Sequence, residues 1–262
     1  MSSTLEGIDL HPRDVEAALV SLETVSARLR ARGDSRAVFP DVYAVITRNV
    51  AREVLGRTGF FLEPEWISRL AGRFAERYLE TLAWSLQDVE QDCQAWALAY
   101  SYADQGLTYP CQDAALGISA HINFDLALGL WRTIEEFGDT SPHRLSRYKH
   151  DHDAVNGLLE ASLPETVERL VERYVCPLTP RMFSEGARPV ARWTTLFVLG
   201  RWRAHVWKDV LSLVHAAGEP ERVAVVARMH RRSDQLGRLF ALGSEVRRMG
   251  RGARGFLELA VR

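Results

Sequence analysis

The stretch GISAHINFDLALGL, residues 117–130, lies inside a run from Ala114 to Trp131 whose only polar side chains are Ser119, His121, Asn123 and Asp125. A helix that is apolar nearly all round has no face to give to solvent, so other elements must enclose it. The chain therefore needs a fold with an interior axis.

The rest of the sequence supplies helices to surround that axis. Apolar residues recur at helical spacing almost everywhere, with Pro at helix starts and Gly past helix ends. The spacing predicts a first helix from near Pro12 to Arg32, with Val15, Leu19, Leu22, Val25 and Leu29 on its inner face. A second follows Pro40 and stops at Gly56 or Gly59, a third starts at Pro64, and a fourth holds CQAWALAYSYAD. The central helix spans about 112–137; Ser141 and Pro142 then open another, which Pro164 continues or kinks as far as about Val175. Residues 176–189 read as an irregular connector, and two further helices cover 190–215 and 220–242. The expectation is an all-α fold, one compact domain of about eight helices over residues 1–262. The N-terminal helix (1–35) and a basic tail (244–262) are its peripheral parts.

Composition narrows the partners. With 262 residues, 47% of them hydrophobic, the chain buries a sizeable core, and its formal net charge of -1 gives no electrostatic reason to bind nucleic acid or an anionic membrane. No segment is apolar for about 18 residues, and the N-terminus lacks signal-peptide order, so neither a membrane span nor export is expected. Cys93, Cys111 and Cys176 are odd in number and form no CxxC, which points to a reducing cytoplasm rather than a disulfide framework.

The polar residues of the central run carry the chemistry. His121 and Asp125 are four apart, within about 40° of one another around a helix, and so share a face; Asn123 turns to the opposite side and serves a different purpose. A buried carboxylate needs a partner. Three arrangements answer that need. Asp125 can orient His121 as a general acid/base, both can hold a metal ion, or both can belong to a structural network. A second cluster, YKHDHDAVN at 148–156, places His150, Asp151, His152, Asp153 and Asn156 on the following helix; a divalent metal, if used, would take His121, Asp125, Asp151 and His152. In GRWRAHVWKDVLSLV, Arg203 suits a buried acid or a substrate anion and Trp207 a pocket wall, while Arg77 reads as an exposed arginine beside Tyr78.

The segments VYAVITRNV, WISRLAGRFAERYL, ALGISAHINFDLALGL, DHDAVNGLL and WRAHVWKDVLSL resemble, in order and spacing, an uncharacterised bacterial family with an AHINxDL signature, over about residues 39–214. The resemblance implies an all-helical domain with His121, Asn123 and Asp125 in its signature. It also implies a second motif that maps to Asp151, His152, Val155 and Asn156. Two positions depart from the pattern: Ser119, where asparagine is frequent, and His152, where an aromatic residue stands. No reaction comes with the resemblance.

The functional expectation is a small-molecule enzyme acting on a hydrophobic metabolite by cyclisation, rearrangement, dehydration or hydrolysis, as in natural-product tailoring. His121 and Asp125 are its acid/base pair, with Asp151, Asn156, Arg203, Trp207 and Tyr78 binding substrate. The alternatives are a metal-dependent hydrolase using the same His and Asp residues and a noncatalytic helical binding protein.

Overall fold

A computed structural model describes residues 4–176, 184 and 187–260, apart from the side chains of residues 188 and 243–260. Among these residues the structure is helical without strands. Helix α1 (Val15–Ala31) is followed by a short 3-10 turn, then α2 (Val38–Leu55), α3 (Pro64–Leu86), α4 (Gln94–Asp104) and α5 (Pro110–Ala120). A π-helical segment (His121–Asp125) joins α5 to α6 (Leu126–Phe137). Helices α7 (Pro142–Glu172), α8 (Arg188–Val214) and α9 (Glu219–Ala260) complete the chain.

Local chemistry sets the boundaries. Asp14 accepts from the Ala17 N–H at 2.8 Å, so α1 begins after it rather than at Pro12. Helix α2 starts two residues before Pro40, because proline is tolerated in a first turn, where its missing N–H has no partner to lose. Helix α7 runs through Pro164 without ending. Helix α9 extends to Ala260, well beyond the end near residue 242 that the sequence suggested. Most of the expected connector at 176–189 lies outside the described residues.

The continuous rod of α5, the π segment and α6 is the interior axis. Helices α2, α3, α4, α8 and α9 pack around it, while α1 lies against α2 and α3, and α7 against α2 and α8. Helix α1, placed by sequence at the edge of the domain, buries Val15, Leu22, Val25 and Leu29 completely. Close approach to the rod needs Gly117, where a Cβ would lie 2.5 Å from the Phe39 ring. Buried ion pairs tie the outer helices down. Arg169 of α7 meets Asp41 of α2 at 2.6 Å, and Arg232 of α9 meets Asp209 of α8 at 2.6 Å. No helix among the described residues is long and apolar enough to cross a membrane.

Candidate active site

The π segment coincides with HINFD, the polar part of the central run. Within it the Leu126 N–H reaches back five residues to the His121 carbonyl. Single π turns inside α-helices recur at functional sites, because they widen the helix and re-aim its side chains. They also disturb the carbonyl ladder, and side chains here supply extra hydrogen bonds. The Asn123 amide donates to the Ser119 carbonyl at 3.0 Å, and Arg232 donates to the Asn123 carbonyl at 3.2 Å. Asn123 thus braces the widened turn, apart from His121 and Asp125.

His121 and Asp125 pair directly, with Nδ1 2.9 Å from Oδ2, and both are almost completely buried. The same Oδ2 accepts from the Trp96 indole N–H at 2.8 Å. Arg77 lies 3.7 Å from Oδ1, an ion-pair distance too long for a hydrogen bond, so it is no mere exposed arginine. Burial opposes the charge of Arg77, but Asp125 and Asp92 outweigh it and raise its proton affinity. Aromatic rings enclose the imidazole. Phe74 stacks face to face on it at 3.5 Å between centroids, and the edges of Tyr43 and Phe39 meet it at 4.8 and 5.5 Å.

This enclosure decides protonation. Burial pushes the imidazole below its ordinary pKa of 6.5; the hydrogen bond and charge of Asp125 offset only part of that, and Arg77 adds to the lowering. The ring is therefore neutral near pH 7. With Asp125 accepting, the ring proton sits on Nδ1, which leaves Nε2 as a lone-pair acceptor. Nε2 is buried and has no hydrogen-bond partner among the described residues.

His121 also lines a cavity of about 120 Å³ between α2, α3, the central rod, α7 and α8. Most of its wall is aliphatic or aromatic, including Tyr43, Ile67, Phe74 and Leu126, and the polar exceptions are Thr47, His121, His152 and Arg203. His152 and Arg203 clasp one another. His152 Nε2 lies 3.2 Å from the Arg203 carbonyl, and the Arg203 guanidinium donates to the His152 carbonyl and approaches its Nδ1 at 3.3 Å. Asn156 accepts from Arg203 Nε at 2.8 Å. Burial, reinforced by the Arg203 charge, holds His152 well below its ordinary pKa, and burial lowers Arg203 to about 10.

The other expected site residues lie elsewhere. Asp151 is fully buried and accepts the backbone N–H groups of Leu62 and Glu63 at 2.8 and 2.6 Å, at the start of α3, so its carboxylate is spent on a helix terminus and not on the cavity. Trp207 packs beside the His152 ring at 5.4 Å, and Tyr78 belongs to the aromatic cluster 6.2 Å from the His121 ring; neither lines the cavity. The four ligands considered for a metal, His121, Asp125, Asp151 and His152, do not converge. Among the described residues, the one cluster with ligand atoms within 4.8 Å of each other is His11, Glu76 and Glu80, at the surface. The sequence reading missed Trp96, Phe74 and Tyr43 as neighbours of the pair, because nothing local marks which aromatic residues of other helices converge on it.

Residues 15–242 match the model of a family described as a family of unknown function, DUF5995. No curated protein and no solved structure matches the chain.

Proposed function

The chain belongs to the DUF5995 family, whose name brings no reaction with it, and from the geometry we propose that it is a small-molecule enzyme with His121 as its general base. The observation that carries this reading is the unpartnered, buried Nε2 on a neutral imidazole that lines an apolar cavity and is oriented through Nδ1 by Asp125. A base of this kind removes a proton from carbon, from a hydroxyl or from water. Asp125 stabilises the imidazolium that forms, and the proton is then returned to the product. Such proton transfers serve cyclisation, rearrangement, dehydration or hydrolysis of a hydrophobic metabolite. Cys93, Cys111 and Cys176 as thiols fit a reducing, cytoplasmic setting.

A second reading, a noncatalytic binding protein, draws on the tight stacking of His121 against Phe74, which also suits a purely structural residue. One assay separates the two. 1,2-Benzisoxazole is uncharged and compact, and a base opens its ring: the C3 proton leaves, the nitrile forms, and the N–O bond breaks to a phenolate. The enzyme reading expects turnover faster than that by free imidazole at equal concentration, falling about 10²–10⁴-fold in a folded His121→Gln variant. No acceleration, or one that survives the substitution, would favour the binding protein.

A further inference from the structure

Arg203 is 5% exposed, yet among the described residues no carboxylate lies within ion-pairing distance of it. Its hydrogen-bond partners are neutral, the Asn156 amide oxygen and the carbonyl and ring of His152; the charge of Asp153 reaches it only from beyond ion-pairing distance, and Asp153 is itself paired with Lys149. Three other buried charges each find opposite ones. Arg169 has Asp41 and Glu165, Asp209 has Arg228 and Arg232, and Asp125 has Arg77. A buried charge without a counter-ion is costly and calls for compensation. Arg203 is also the cavity's only fixed cation among the described residues, since its other polar lining groups are Thr47, the Tyr43 hydroxyl and two neutral histidines.

We propose that Arg203 binds the carboxylate of a small apolar monocarboxylic acid whose hydrocarbon body fills the cavity beside His121. The proposal rests on reading the cavity as a ligand site, as above. Charge selects the headgroup, because a single carboxylate neutralises one guanidinium, whereas a phosphate dianion would leave a net negative charge in an apolar wall. The apolar lining selects the body, and its size is limited. An engineered cavity of ~150 Å³ accepts benzene, so the about 120 Å³ here suits a single ring or a short alkyl chain. Asn156 and His152 fix the guanidinium from α7, which gives a purpose to the second motif that resemblance alone did not explain.

The test is calorimetric titration of the full chain with phenylacetate and hexanoate against their neutral counterparts, phenylacetamide and hexanamide. The wild type is expected to bind the acids at least about tenfold more tightly than the amides, and Arg203→Met to erase that preference while Arg203→Lys keeps part of it. Equal binding of acids and amides by the wild type, or no binding of either, overturns the proposal whether or not a variant folds. So does a preference that survives in Arg203→Met. Benzisoxazole carries no charge, so its ring opening tests His121 without Arg203. Acid-selective binding with no ring opening would therefore remove the base and leave the anion site standing, and the converse result would do the reverse.

Discussion

At His121, burial and Asp125 pull the proton equilibrium in opposite directions, and burial prevails. A solvent-exposed His–Asp pair would be cationic at a higher pH and a poorer base at neutrality. Asp125 then orients the ring and meets the charge it gains, and the second role can be isolated. In Asp125→Asn an amide oxygen in the place of Oδ2 can still accept from both Trp96 and His121 Nδ1, so the tautomer is kept and the negative charge opposite the imidazolium is lost. Benzisoxazole turnover is expected to fall by about 10²–10⁴ while the melting temperature changes little; unchanged turnover would remove Asp125 from the mechanism. The pair itself was legible in the sequence, because a four-residue spacing in an apolar run leaves few arrangements. The cage was not. Phe74, Tyr43 and Trp96 come from three other helices, and their convergence depends on packing that no local pattern encodes.

Among the elements, the second motif divides its labour. Asp151 closes the start of α3, Val155 lines the cavity, and His152 with Asn156 holds Arg203. Helical spacing placed His152 and Asn156 on one face, but their partner is 47 to 51 residues downstream on α8, beyond any local signal. Asp151 looked like a ligand because buried acids often are, and its real partners are backbone groups whose need shows only once α3 is placed. Asp151→Ala is expected to cost ~1–3 kcal/mol of stability in denaturant unfolding and to leave phenylacetate affinity unchanged, since two N–H groups at the start of α3 lose their acceptor and the carboxylate does not line the cavity. Affinity lost in step with stability would return Asp151 to the cavity. The π turn was equally hidden: a one-residue widening has no propensity signature, and only the Leu126 to His121 hydrogen bond reveals it.

For the whole molecule, the helical fold followed from periodicity and from proline and glycine punctuation, and the apolar central run correctly demanded an enclosed axis. What periodicity could not provide was the length of α9 or the depth at which α1 is buried. Burying neutral histidines has a global consequence. His121 and His152 have folded-state pKa values below the ordinary 6.5, so below that pH the unfolded chain binds protons that the folded chain refuses. Their stabilising contribution is complete above about pH 6.5 and declines as the pH falls toward the folded values, by ~1.4 kcal/mol per pH unit for each histidine. Chemical denaturation between pH 7 and 5 should show this slope, reduced by one proton in His121→Gln; a flat profile would mean that neither ring is held neutral. The most direct measurement is the imidazole nitrogen NMR spectrum of His121 as a function of pH. At pH 7 it should show a neutral ring with its proton on Nδ1 and a bare Nε2, protonating only below pH 6.5. A proton on Nε2 at pH 7, or a fully charged ring there, would contradict its role as the base.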